Sequence, residues 1–189
     1  MNQPVENTGD ILSQLTEQER EAVISLPYRV GLYVSFSDLS GGFDAQEQEM
    51  EMLTSILREF SEDFCKGEFS QKIMGHCLRS CDKWPEWSKN VETVPADAEM
   101  AIETINLALS DKSMLDFKTV LFEIAVSVAM AFREDGDAQS SGGFFTKIIG
   151  LMGIGVATSA KDKLSHINVS ASERKALAKL SSALDYSPT

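Results

Sequence analysis

Asp38, Asp44 and Glu47 fall around one glycine-containing stretch, and Asp135, Asp137 and Glu173 bracket a second. Carboxylates gathered by flexible loops are ligands for hard cations, which take several carboxylate and carbonyl oxygens at once. The chemistry these six residues offer is therefore oxygen ligation of Ca2+ or Mg2+, with helix capping as the alternative role. Read as a twelve-residue calcium loop, the first stretch has Asp38, Ser40, Gly42, Asp44 and Glu49 at positions one, three, five, seven and twelve. Phe43 then stands where the sharp-turn glycine belongs, so a standard EF-hand loop is not expected. Beyond these two ions the sequence specifies no cofactor.

Cys65, His76, Cys77 and Cys81 are soft-ligand types, but a zinc site needs four of them to converge tetrahedrally. Adjacent His76 and Cys77 point in different directions on a helix, so buried free thiols are the expectation. No motif supports a Cys–His nucleophile. Helical-bundle metal enzymes use a Glu-x-x-His step, and here Ile73 precedes His76 and Lys163 precedes His166. No catalytic constellation emerges, and the chain is expected not to be an enzyme. Gly150, Gly153 and Gly155 in an apolar run lack the spacing of a phosphate loop. Small residues there suit close helix packing, self-association, a protein partner or a peripheral membrane contact.

The elements that would position these residues read as helices. Residues 1–15 are polar and read as a flexible arm. Thr16–Glu19 is a capping box, in which a hydroxyl and a carboxylate satisfy each other's backbone amides, so a helix starts there. Pro27 reads as the opening of a second helix. Asp44–Glu47 and Ser170–Glu173 are further boxes. Met50, Leu53, Ile56, Leu57 and Phe60 form an amphipathic stripe after the former; Leu177, Leu180 and Leu184 follow the latter. Phe69, Ile73 and Cys77 share a helical face that ends at Trp84-Pro85-Glu86-Trp87, and Asp97 reads as the next N-cap. From Ser113 to Glu134 runs a helix whose segment Val120–Phe132 is polar only at Glu123 and Ser127. A helix apolar nearly all round belongs in a core. Sustained period-two alternation is missing, so the expected fold is all-α: a bundle of about seven or eight helices built from two related helix–loop–helix halves.

The chain has 189 residues, of which 43% are hydrophobic and 24% charged, enough to build a core in one domain at 16–189 with an insert at 137–167. A net charge of -12 and no visible basic patch argue against nucleic acid. Three cysteines do not make a disulfide framework, and the N-terminus has no secretory pattern, so a cytoplasmic protein is expected.

Each half runs apolar helix, acidic glycine-containing loop, small or acidic N-cap, Glu three later, amphipathic helix: Tyr28–Phe60 and Phe122–Leu184. Asp135-Gly136 followed by Val169-Ser170-Ala171-Ser172-Glu173 resembles the signature of the tellurite-resistance TerB-like family of all-helical bacterial proteins. The insert separates the two parts of that signature, and in the N-terminal copy Asp38 precedes Leu39-Ser40 with the glycines late. The resemblance implies a non-enzymatic helical binding or scaffold module of a bacterial stress or tellurite-resistance system, with divalent-cation binding at the acidic loops. The alternatives are a membrane-associated adaptor acting through the insert helix, or a carboxylate metalloenzyme.

Overall fold

The computed structural model describes residues 8–37, 43–131 and 169–187. Eight α-helices and no strand occur among them: α1 (Thr8–Gln14), α2 (Glu17–Ser35), α3 (Phe43–Glu59), α4 (Glu68–Arg79), α5 (Trp84–Trp87), α6 (Val94–Asn106), α7 (Asp111–Ala131) and α8 (Ala171–Ala183). The fold is an all-α bundle. Among the described residues, no helix is long and apolar enough to cross a membrane.

At the centre α2 lies against α7, and the pair is surrounded by α3, α4, α6 and α8. The reason is compositional. From Val120 to Ala129 nearly every side chain of α7 is buried, including Ser127, whose hydroxyl donates to the Glu123 carbonyl at 2.8 Å. A residue that returns its only donor to its own helix can be buried without an external partner. On α2, Gly31 faces Leu53 of α3 and Val128 and Ile124 of α7, so the missing Cβ sets how closely the three helices approach.

Both terminal boxes form as expected. The Thr16 hydroxyl accepts from the Glu19 amide at 3.3 Å while the Glu19 carboxylate accepts from the Thr16 amide at 2.9 Å. Ser170 accepts from the Glu173 amide at 3.1 Å, and Glu173 accepts from the Ser170 amide at 2.7 Å.

Four expectations are corrected. Pro27 does not open a helix but lies inside α2. An interior proline costs about 3 kcal/mol. Val23, Leu26, Tyr28, Val30 and Val34 on both sides of it are fully buried, each worth about 1.5–3 kcal/mol, so packing wins. Within the stretch read as a flexible arm, Thr8–Gln14 form α1, which buries Ile11 and Leu12 and packs against α4. Asp97 is not an N-cap: α6 begins at Val94, and the Asp97 carboxylate in its first turn accepts from the Thr93 hydroxyl at 2.6 Å and pairs with Arg29 at 2.8 Å. Cys81 is exposed, whereas Cys65 and Cys77 are buried.

Trp84 and Trp87 do more than end a helix. The Tyr28 ring stacks on Trp84 with centroids 4.6 Å apart, and the Trp84 indole N–H donates to the Cys77 carbonyl at 3.2 Å. The Trp87 indole N–H donates to Glu21 at 2.8 Å. These contacts fasten α5 to α2 and to the end of α4. Elsewhere Asp116 of α7 stands at the head of α4, where its carboxylate takes the Ser70 hydroxyl at 2.5 Å and fills the space a Cβ on Gly67 would need. Negative charge at a helix N-terminus is favoured by the aligned peptide dipoles.

Candidate functional site

The acidic residues are distributed unevenly over what the structure describes. Asp38, Asp135 and Asp137 lie outside the described residues. Asp44 and Glu47 belong to the first turns of α3, which begins at Phe43, so the expectation that Asp44 is the N-cap of a box is corrected: it lies inside the helix. The side chains of both lie outside the described residues. Glu173 is 3% exposed and bound into the Ser170 cap, so of its two expected roles the structure shows capping. Among the described residues no three His, Cys, Asp or Glu side chains are placed to hold a metal ion. The insert 137–167 with its glycines lies outside the described residues.

The thiols are separated by burial. Cys65 follows the π-turn Phe60–Phe64 that closes α3, and Cys77 sits inside α4. Burial pushes both up to about 12 from the ordinary 9.0, with the Asp116 carboxylate adding to the effect on Cys65. Nucleophilic sulfur is thiolate, so neither serves as a nucleophile near neutral pH. At pH 8, Cys81 alone of the three cysteines should react with a disulfide reagent in the folded protein, and all three after denaturation. Rapid labelling of two or more thiols in the native state would refute this. The sign of the alkaline effect also follows. Above pH 9 the unfolded chain ionises these thiols, while the folded chain holds their protons to about 12. Stability present below pH 9 is therefore lost as pH rises through that window.

A groove of about 660 Å³ lies between the end of α2, the corner after α5 and α8. That volume is within the roughly 300–1,000 Å³ of ligand pockets. Tyr33 from α2, Phe36 at its C-terminal cap, Val91 from the corner and Ala176 from α8 supply apolar surface. Burial raises the Tyr33 phenol above its ordinary value. Lys175 and Lys179, one turn apart on α8, line the groove, as does Glu92 of the corner. Neither lysine has an ion-pair partner among the described residues.

The corner is built, not incidental. Asn90 adopts the left-handed conformation with φ 54° and ψ 47°, which asparagine tolerates better than most residues. Its carbonyl accepts from Arg29 at 3.5 Å, and the Thr93 hydroxyl accepts from the same guanidinium at 3.4 Å. With the Asp97 ion pair, Arg29 thus ties the corner to α2. No family model, curated protein or solved structure matches this chain.

Sequence reasoning missed the groove because its three walls come from residues 33–37, 88–92 and 172–179. The usable signal was the Lys175/Lys179 step, which puts two cations on one side of a helix in an acidic chain.

Proposed function

We propose that the protein is a non-enzymatic helical binding module, and that the groove between α2, the Asn90 corner and α8 is its binding face. The observation carrying this is the combination of apolar surface with two α8 lysines that have no ion-pair partner among the described residues, facing a groove whose Asn90 corner is held to α2 by Arg29. The occupant that matches is a protein segment presenting an apolar side chain with carboxylates beside it. Apolar burial supplies the affinity, and the lysines select the charge and speed the encounter.

Membership of a tellurite-resistance TerB-like group, and a role in bacterial stress, belong to the same proposal. What supports them is the all-helical fold, the buried α7 and the box that opens α8. Ca2+ or Mg2+ ligation by Glu173 is not part of it, since that carboxylate serves the cap.

A photo-crosslinking residue placed at Lys179 should trap a discrete partner band in the native host, and Lys175→Glu should remove that band without changing the thermal melt. The same residue at Met100, exposed on α6, should trap nothing comparable. Equal bands at both positions, or a band indifferent to Lys175→Glu, would sink the groove as the binding face.

A further inference from the structure

We propose that the occupant of the groove is a second copy of this chain, which inserts Leu107 from the corner between its α6 and α7. This inference rests on the groove being the binding face and names what that face binds. Among the described residues three large hydrophobic side chains are exposed: Met100, Leu107 and Leu115. Two of them belong to the α6–α7 corner, Leu107 on the C-terminal cap of α6 with 98% exposure and Leu115 in the second turn of α7 with 57%. A single exposed leucine is ordinary on a protein surface. This one has a carboxylate on either side: Glu103 stands one turn before it on α6, and Asp111 opens α7 four residues after it. Both are exposed, and neither has an ion-pair partner among the described residues.

The corner thus offers an apolar side chain with carboxylates beside it, the complement of the apolar walls and the Lys175/Lys179 pair of the groove. Glu92 in the groove and Lys112 beside Asp111 have the opposite signs and are outnumbered, which leaves the groove positive and the corner negative. The backbone presents Leu107 on a fixed support. The Ala108 and Leu109 amides donate to the Ile105 carbonyl at 3.0 and 3.2 Å, Leu109 is buried, and the Ser110 hydroxyl accepts from the Ser113 amide at 3.2 Å. Docking a corner already held in this way orders little additional chain.

The contact has to be made between copies. Helix α6 starts at Val94, directly after the corner that walls the groove, and runs 13 residues to Asn106. At 1.5 Å per residue that is about 20 Å, so Leu107 and the groove stand at opposite ends of one helix. One chain cannot fill its own groove. A corner-to-groove contact is head-to-tail: the last copy always keeps a free groove and the first a free corner, and association continues past the dimer unless a ring closes. The net charge of -12 on each copy opposes this at long range. Physiological ionic strength confines that repulsion to about 8 Å and leaves the contact itself attractive.

The test is equilibrium sedimentation of the full chain at concentrations up to about 1 mM. The average mass should rise with concentration, and Leu107→Gln and Lys175→Glu/Lys179→Glu should each weaken association about tenfold or more. Mixed together, the two variants should pair again and stop at the dimer, because one keeps an intact groove and the other an intact corner. All three substituted side chains are exposed, and a circular dichroism melt of each variant confirms the fold. A mass that stays at one chain throughout overturns the proposal, and so does a mixture that stays monomeric where the wild type associates. In the native host, a Lys179 cross-link to a protein other than this chain overturns the second copy as occupant and leaves the groove as the binding face. A cross-link indifferent to Lys175→Glu removes the groove reading itself.

Discussion

Phe117→Ala should destabilise the protein by about 3–5 kcal/mol, a large part of the roughly 5–15 kcal/mol that holds a domain folded. Phe117 is fully buried on α7 and meets Phe69 of α4 edge-on, with ring centroids 5.1 Å apart and planes at 87°. Truncation loses the transfer energy of the ring, leaves a cavity, and removes an aromatic pair worth about 0.5–1.5 kcal/mol beyond its area. Because α4 also packs against α2, the cavity opens at a junction of three helices that cannot all close inward. In urea the midpoint should fall with the slope unchanged, since a lost contact alters stability and not the surface exposed. Leu107→Ala is the matched control. Leu107 is 98% exposed just past α6, and its removal should stay within about 0.5 kcal/mol. Equal losses at the two positions would mean that the core is not where the structure puts it.

Gly31→Val should cost about 1–3 kcal/mol by overpacking, and Gly31→Ala much less. At this position a Cβ meets the Leu53 Cδ1 head-on, with Val128 Cγ2 at 3.4 Å and Ile124 Cγ2 at 3.6 Å. Alanine adds only the Cβ, and the Leu53 methyl can turn away at the expense of its own packing. In return, replacing an interior glycine with alanine returns roughly 0.5–1 kcal/mol of helix stability. The two effects are similar in size, so the alanine variant should melt close to wild type. Valine brings two more methyls toward Val128 and Ile124, which are fully buried and have nowhere to go. Paired melts of the two variants read the difference directly. A valine variant as stable as the alanine variant would show that α2 and α7 can separate without loss.

How much of this was legible beforehand depends on range. Two boxes written within one helical turn, Thr16–Glu19 and Ser170–Glu173, and the apolar circumference of α7 were legible; the box read at Asp44–Glu47 was not, since α3 begins at Phe43. Pro27 was misread because a local rule about proline was set against burial of both flanks, which is a property of the assembled core. Asp97 was misread for a similar reason, since its partner Arg29 is distant in sequence and no N-cap spacing encodes an ion pair. The acidic residues were the most visible chemistry in the chain, yet Glu173, whose side chain is described, turned out to be structural. Conversely, the Lys175/Lys179 step is visible in the sequence, but a cation pair becomes informative only when the apolar walls beside it are known.

The Asp116 contact at the head of α4 has a consequence for the order in which the chain matures. Ser70 finds its carboxylate partner 46 residues later, on a different helix. On a ribosome α4 emerges complete while the residue that occupies the space left open by Gly67 has yet to be made. Its first turn must wait for α7, the same segment that fills the centre of the bundle. The contact at the head of α4 is therefore among those the chain can complete only after α7 has been made.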